Sequence, residues 1–133
     1  MNRIITADIA GKTYPLCFSL GAAKKIADKF GSLETMFDLL TESKDTTAGT
    51  IEAVTYTLAV FAEQGCEYLK MSGEEIEGVE TTPITQEEIE TLIDFSGTAE
   101  LAESILKAIK KSQEKEIETK SQAGKNAKAP EAI

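Results

Sequence analysis

Histidine, the usual general base near neutral pH and the commonest transition-metal ligand, is absent from all 133 residues. Two cysteines, Cys17 and Cys66, show no metal-ligand spacing. They read as reduced, partly buried small hydrophobes, with a disulfide between them as the alternative. Carboxylates are plentiful, so paired acids are the remaining route to proton transfer or cation binding. Glu74 and Glu75, like Glu87 and Glu88, are adjacent and would point in different directions on a helix. Glu63 and Glu67 stand four apart on one helical face and could share a proton or a divalent ion. With no third ligand or aromatic cleft residue tied to them, these pairs read as structural or solubilising. The stretch Asp38 to Gly49 imitates a calcium loop but lacks carboxylates at the required positions and a closing bidentate glutamate. Ser19 and the threonines have no base partner, and neither a GxxxxGK[ST] loop nor a GxGxxG fingerprint occurs. The sequence therefore predicts no enzyme, no cofactor and no metal site.

The charge balance points instead to a binding role. Fourteen basic and twenty-three acidic residues give a net charge of -9. Residues 1–110 carry net -10 and residues 111–133 net +1, so the negative field belongs to the expected folded unit. Between Glu63 and Glu90 there are nine glutamates against one lysine. Such a surface repels nucleic-acid backbones and anionic lipid, and nucleic acid and membrane are not expected partners. The acid-rich stretch is either a plain solvated face or a means of steering a basic partner helix or tail. No apolar run approaches the roughly 20 residues that span a bilayer. The amino end meets Asp8 before a signal-peptide core could form, so a cytoplasmic location is expected.

The elements that must position these residues are mostly helical. Ile5, Ala7 and Ile9 alternate with Thr6 and Asp8, and Tyr14, Leu16 and Phe18 with Thr13, Pro15 and Cys17, which predicts a hairpin over 1–18 turning at Gly11-Lys12. Pro15 predicts an open edge on the second strand. Leu20, Ala23, Ala27 and Phe30, with Ile26 beside them, predict a helix ended by Gly31. Ser32 then caps a helix bearing Leu33, Met36, Phe37 and Leu40. After a polar loop from Thr41 to Gly49, a longer helix runs from about Thr50 to Tyr68, with Gly65 expected to fray or bend it. Residues 70–84 read as a largely irregular link with room for one helical turn near Glu74 to Ile76. Thr85 and Glu88 form a capping box, and a last helix starts near Thr98. The fold class expected is mainly α with a short N-terminal β-hairpin (α+β): one domain over 1–110, then a helix extension and mobile polar tail over 111–133, too poor in apolar side chains from Ser121 onward to order itself.

A protein-binding surface needs apolar centres ringed by charge. The hairpin edge near Pro15 and a groove between the helices of Met36 and Phe61, with Phe37 beside it, are candidates. Tyr68 and Met71 are a third, because they adjoin the acid-rich stretch; closing the core is their alternative role. Uneven apolar stripes on several helices suit a homo-oligomer and ordinary core packing equally.

The run Ile9-Ala10-Gly11-Lys12-Thr13-Tyr14-Pro15-Leu16-Cys17-Phe18-Ser19-Leu20-Gly21-Ala22-Ala23-Lys24-Lys25-Ile26, continuing to Lys29-Phe30-Gly31-Ser32, resembles the opening of tail assembly chaperones from long-tailed bacteriophages and prophages. There, a hairpin reading I-x-G-K-x-Y-x-L-x-F leads into a helix and then a glycine. The likeness covers about thirty residues, matched at Gly11, Tyr14, Leu16, Phe18 and Gly31, whose roles look structural. It implies a chaperone that coats the tape measure protein in the host cytoplasm, assists tail tube assembly and is absent from the mature virion. A longer frameshifted form in this family is thought to engage tube subunits, which would make the tail tube protein a second partner and this chain the short form. A structural head–tail or tail accessory protein, and a small acidic regulatory module, are the competing readings.

Overall fold

The computed structural model describes residues 3–41 and 46–126. Strand β1 (Ile5–Ile9) pairs antiparallel with β2 (Lys12–Leu16) in the register Ile5 to Leu16, Ala7 to Tyr14 and Ile9 to Lys12. The hairpin is as predicted, but its turn lies one residue earlier, at Ala10 and Gly11. Both have positive φ, 53° and 84°, the pattern of a tight primed turn whose twist matches the strands. Helices α1 (Leu20–Phe30), α2 (Leu33–Thr41), α3 (Ala48–Ser72), α4 (Gln86–Leu92) and α5 (Thr98–Asn126) follow, with a 3-10 turn at Phe95–Gly97. The molecule is thus mainly helical with an N-terminal hairpin.

Local chemistry accounts for the boundaries. Ser19, Ser32, Thr47 and Thr85 each accept an amide hydrogen bond from the first turn that follows them. Thr85 and Glu88 complete a reciprocal capping box, with the Glu88 carboxylate accepting from the Thr85 amide at 2.9 Å. Gly31 ends α1 and Gly73 ends α3, both with positive φ. The link after α3 is irregular as expected, without the helical turn near Glu74 for which it had room: α3 continues to Ser72 and the Gly73 cap reverses the chain there. Helix α5 runs to Asn126, across the first part of the segment expected as a helix extension and tail. The remainder of the predicted mobile tail, 127–133, lies outside the described residues.

The core is built around α3. Val54, Leu58 and Phe61 meet Ile9, Tyr14 and Leu16 of the hairpin, Ile26 of α1, Met36 of α2, Ile89 of α4 and Leu101 and Ile105 of α5. Phe18 lies against Phe61 with ring centroids 5.3 Å apart. The inward stripe of α1 is centred on Ala22 and Ile26; Leu20, expected on that stripe, is the first residue of the helix and is 90% exposed. Two exposed ion pairs, Lys25 to Glu63 at 2.8 Å and Lys29 to Glu52 at 3.0 Å, lie along the α1–α3 seam. At such exposure they contribute little beyond alignment.

Pro15 and Gly65 overturn two expectations together. The pair flanking a two-residue turn exchanges hydrogen bonds, so the alternate pairs, Asp8 with Thr13 and Thr6 with Pro15, direct their backbone groups away from the partner strand. Pro15 therefore sits where the ladder asks for no donor. Its outer side is not open: Pro15 is fully buried against Gly65 of α3. A Cβ at Gly65 would lie 2.5 Å from the Pro15 carbonyl carbon and 3.0 Å from the Leu16 nitrogen. Gly65 is the space that seats the hairpin, and α3 passes through it without a break.

Two substitutions test this. By helix propensity Gly65→Ala would stabilise α3 by about 1 kcal/mol. Steric overlap with β2 reverses the sign, and a loss of roughly 3 kcal/mol or failure to fold is expected in urea denaturation. Ala10→Asn, which better tolerates the left-handed conformation, is expected to raise stability by about 0.5 to 1 kcal/mol.

Candidate functional site

The end of α3 and the segment that follows it enclose a groove of about 640 Å³. Buried Cys66 and half-buried Leu69, Ile76 and Val79 form its floor. Glu74, Glu75, Glu77 and Glu80 border it, with Lys70 on the opposite wall. Its shape comes from backbone ties rather than regular structure. Gly73 donates to the Leu69 carbonyl at 3.1 Å and turns the chain back, and Gly78, with φ 87°, bends it again. The Glu80 amide then donates to the Thr13 carbonyl at 2.8 Å, fastening the far wall to the outer edge of β2.

The carboxylates of the acid-rich stretch divide by what they touch. Glu63 pairs with Lys25, and Glu67 approaches Lys70 at 3.8 Å, so the two acids that share a helical face have separate lysine partners. Glu74 accepts the Tyr68 hydroxyl at 3.1 Å, and Glu90 accepts from Thr55. Glu75 and Glu77 are exposed and make no ion pair among the described residues. Burial, then the Glu67 carboxylate, raises the Cys66 thiol above its ordinary pKa; its Sγ contacts the Glu80 carbonyl at 3.7 Å. Burial and the Glu74 hydrogen bond raise the Tyr68 phenol. Cys17 and Cys66 are both free and buried.

The six residues singled out from sequence do not converge. Pro15, Met36 and Phe61 are core residues, at most 2% exposed, and are corrected from surface to interior: α2 and α3 pack on each other and bury Met36 and Phe61. Phe37 is 43% exposed on the outside of α2, away from the groove. Met71 is 82% exposed beyond the groove's lining, and Tyr68 reaches the groove only through Glu74. Cys66, Leu69, Ile76 and Val79 were missed as a set. Ile76 and Val79 do stand three apart amid the glutamates, but a glycine-rich link offers no periodicity that assigns them a face.

An apolar floor under a carboxylate rim suits a basic, amphipathic chain. Among the described residues no three His, Cys, Asp or Glu side chains are placed to hold a metal ion, and no helix is long and apolar enough to cross a membrane.

Because both thiols are held above their ordinary pKa, iodoacetamide is expected to label native protein slowly at neutral pH and faster as pH rises. Cys66, which lines the groove, should be modified before Cys17, as read by peptide mass spectrometry; preferential labelling of Cys17 would show that the groove does not give access to its floor. No family model, curated protein or solved structure matches the chain in comparisons with known proteins.

Proposed function

We propose that this chain is a non-enzymatic binding protein whose groove behind α3 receives a basic, amphipathic helical segment, and that its client is a phage tape measure protein kept soluble during tail tube assembly. The observation that carries the binding role is the floor of Cys66, Leu69, Ile76 and Val79 beneath the carboxylates of Glu75 and Glu77, which form no ion pair among the described residues. A helix with one apolar stripe flanked by lysine or arginine would bury the stripe on that floor and set its charges against the rim. The choice of client rests on the amino-terminal pattern from Ile9 to Ser32, which resembles phage tail assembly chaperones. On that reading the protein acts in the host cytoplasm and leaves before the particle is complete, and tube subunits are a second partner.

The test is co-expression with a phage tape measure protein, reading client solubility by centrifugation and Cys66 alkylation by mass spectrometry. A larger soluble fraction together with slower labelling of Cys66, Cys17 being the internal control, is the expected result. Reversing the rim with Glu75→Lys and Glu77→Lys, both at exposed positions, should weaken the complex about tenfold or more at low salt. A client that stays insoluble removes the chaperone reading and leaves the accessory-protein and regulatory alternatives. A client made soluble without protection of Cys66 removes the groove as its seat.

A further inference from the structure

The two edges of the hairpin differ. On the outer side of β2 the Thr13 carbonyl accepts from Glu80, the Cys17 amide at the strand's end donates to the Phe61 carbonyl, and Pro15 has no amide to satisfy. On β1 the outward groups belong to Thr6 and Asp8, whose side chains are exposed. Among the described residues no backbone hydrogen bond from beyond the sheet reaches either of them. Beside this edge runs a groove of about 510 Å³ between β1 and the start of α5. It has an apolar strip of Leu92, Ile93 and Leu101. Asp8, Asp94, Glu100 and Glu103 line it against the single cation Lys107, and none of these four acids forms an ion pair among the described residues.

We propose that the β1 edge is a second, separate docking site that takes an extended basic segment of a partner protein as a third strand. Thr6 and Asp8 offer two amides and two carbonyls in strand spacing, enough to hold a short segment by main-chain bonds. Charge selects the occupant: lysine or arginine at alternate positions meets the carboxylates of β1 and α5, while small apolar residues between them face Leu92 and Leu101. A second copy of this chain is disfavoured on the same ground, because β1 against β1 would bring Asp8, Glu100 and Glu103 toward their own counterparts. This site stands on the strand edge and is independent of the groove behind α3.

The probe is a capped seven-residue peptide of alternating lysine and valine, added to the full chain labelled with 15N. It is expected to slow amide exchange at Thr6 and Asp8 about tenfold or more as those groups become hydrogen-bonded. Methylating the single peptide amide that would donate to the Thr6 carbonyl, or introducing Thr6→Pro, should each weaken binding about tenfold, the loss of one backbone hydrogen bond. Thr6 faces Pro15 at a position whose amide the ladder does not use, so the change spares the β1–β2 bonds. Glu100→Gln with Glu103→Gln alters only exposed side chains and should weaken binding several-fold at low salt, a difference that vanishes near 0.5 M salt, where the Debye length is only about 4 Å. Equal binding of a glutamate-valine peptide, unchanged exchange at Thr6 and Asp8, or indifference to the double glutamine variant would each overturn the proposal. So would a concentration-dependent dimer dissolved by Thr6→Pro, which would give the edge to a second copy.

Discussion

The structure depends on a close approach of backbone to backbone where β2 meets α3. A two-stranded hairpin is marginal in water and persists only when its inner face and outer edge are covered. Here the Cys17 amide donates to the Phe61 carbonyl at 3.1 Å, on the same helical turn that Gly65 closes. Only a residue without a side chain allows that distance, since a methyl group at Gly65 would overlap Pro15. The contact draws Tyr14 and Leu16 into the core with Phe61, and one residue beyond Gly65 it sets Cys66 at the floor of the groove. The far wall hangs on the same strand through Glu80 and Thr13. Hairpin and groove are thus mechanically one unit, although nearly fifty residues separate Pro15 from Gly65.

The same geometry sorts the acidic residues into two kinds. Some work inside the fold: Glu88 completes a cap, Glu63 joins α3 to α1, and Glu74 holds Tyr68. Others, such as Glu75 and Glu77 at the groove and Glu100 and Glu103 by the β1 edge, form no ion pair among the described residues and contribute to the field around the molecule. Lys29 holds the Glu52 carboxyl below its ordinary pKa, and the hydrogen bond to Glu63 raises Lys25. Glu52 therefore supports folding above its unfolded pKa, and that support is lost as pH falls through its lower folded value. Lys25 supports folding below its unfolded pKa and loses that support as pH rises through the higher folded value. Both pairs are well exposed to solvent, so each effect is small.

Much of this fold was legible in the sequence because it rests on local rules. Alternation marked the strands, Gly31 and Ser32 marked a stop and a start, and Thr85 with Glu88 announced their capping box. What escaped depended on contacts distant in sequence. Gly65 reads locally as a weak point in a helix, and Pro15 as an interruption in a strand; each is explained only by the other. Phe61 and Met36 were legible as apolar but not as interior, because a helical stripe does not say how much of it a neighbour covers. The candidate site was half legible: the concentration of charge was visible, whereas its apolar floor joins a helix end to a loop held in place by backbone hydrogen bonds that carry no side-chain signature.

The asymmetry of the hairpin has a physical origin in those two residues. Because Pro15 lacks an amide and Gly65 lacks a side chain, β2 can close on α3 at Pro15 without burying an unpaired amide there, while β1 keeps an open edge. Asp8 on that strand, with Glu100 and Glu103 across the adjoining groove, repels other acidic chains, so the edge is guarded against copies of itself without being covered. Such a guard is selective rather than absolute, since the field that repels an acidic strand attracts a basic one. Rim charges of this kind speed encounter more than they prolong residence. A partner held by them over a small apolar floor associates fast and leaves readily, which is the kinetic character that the proposed chaperone role would need.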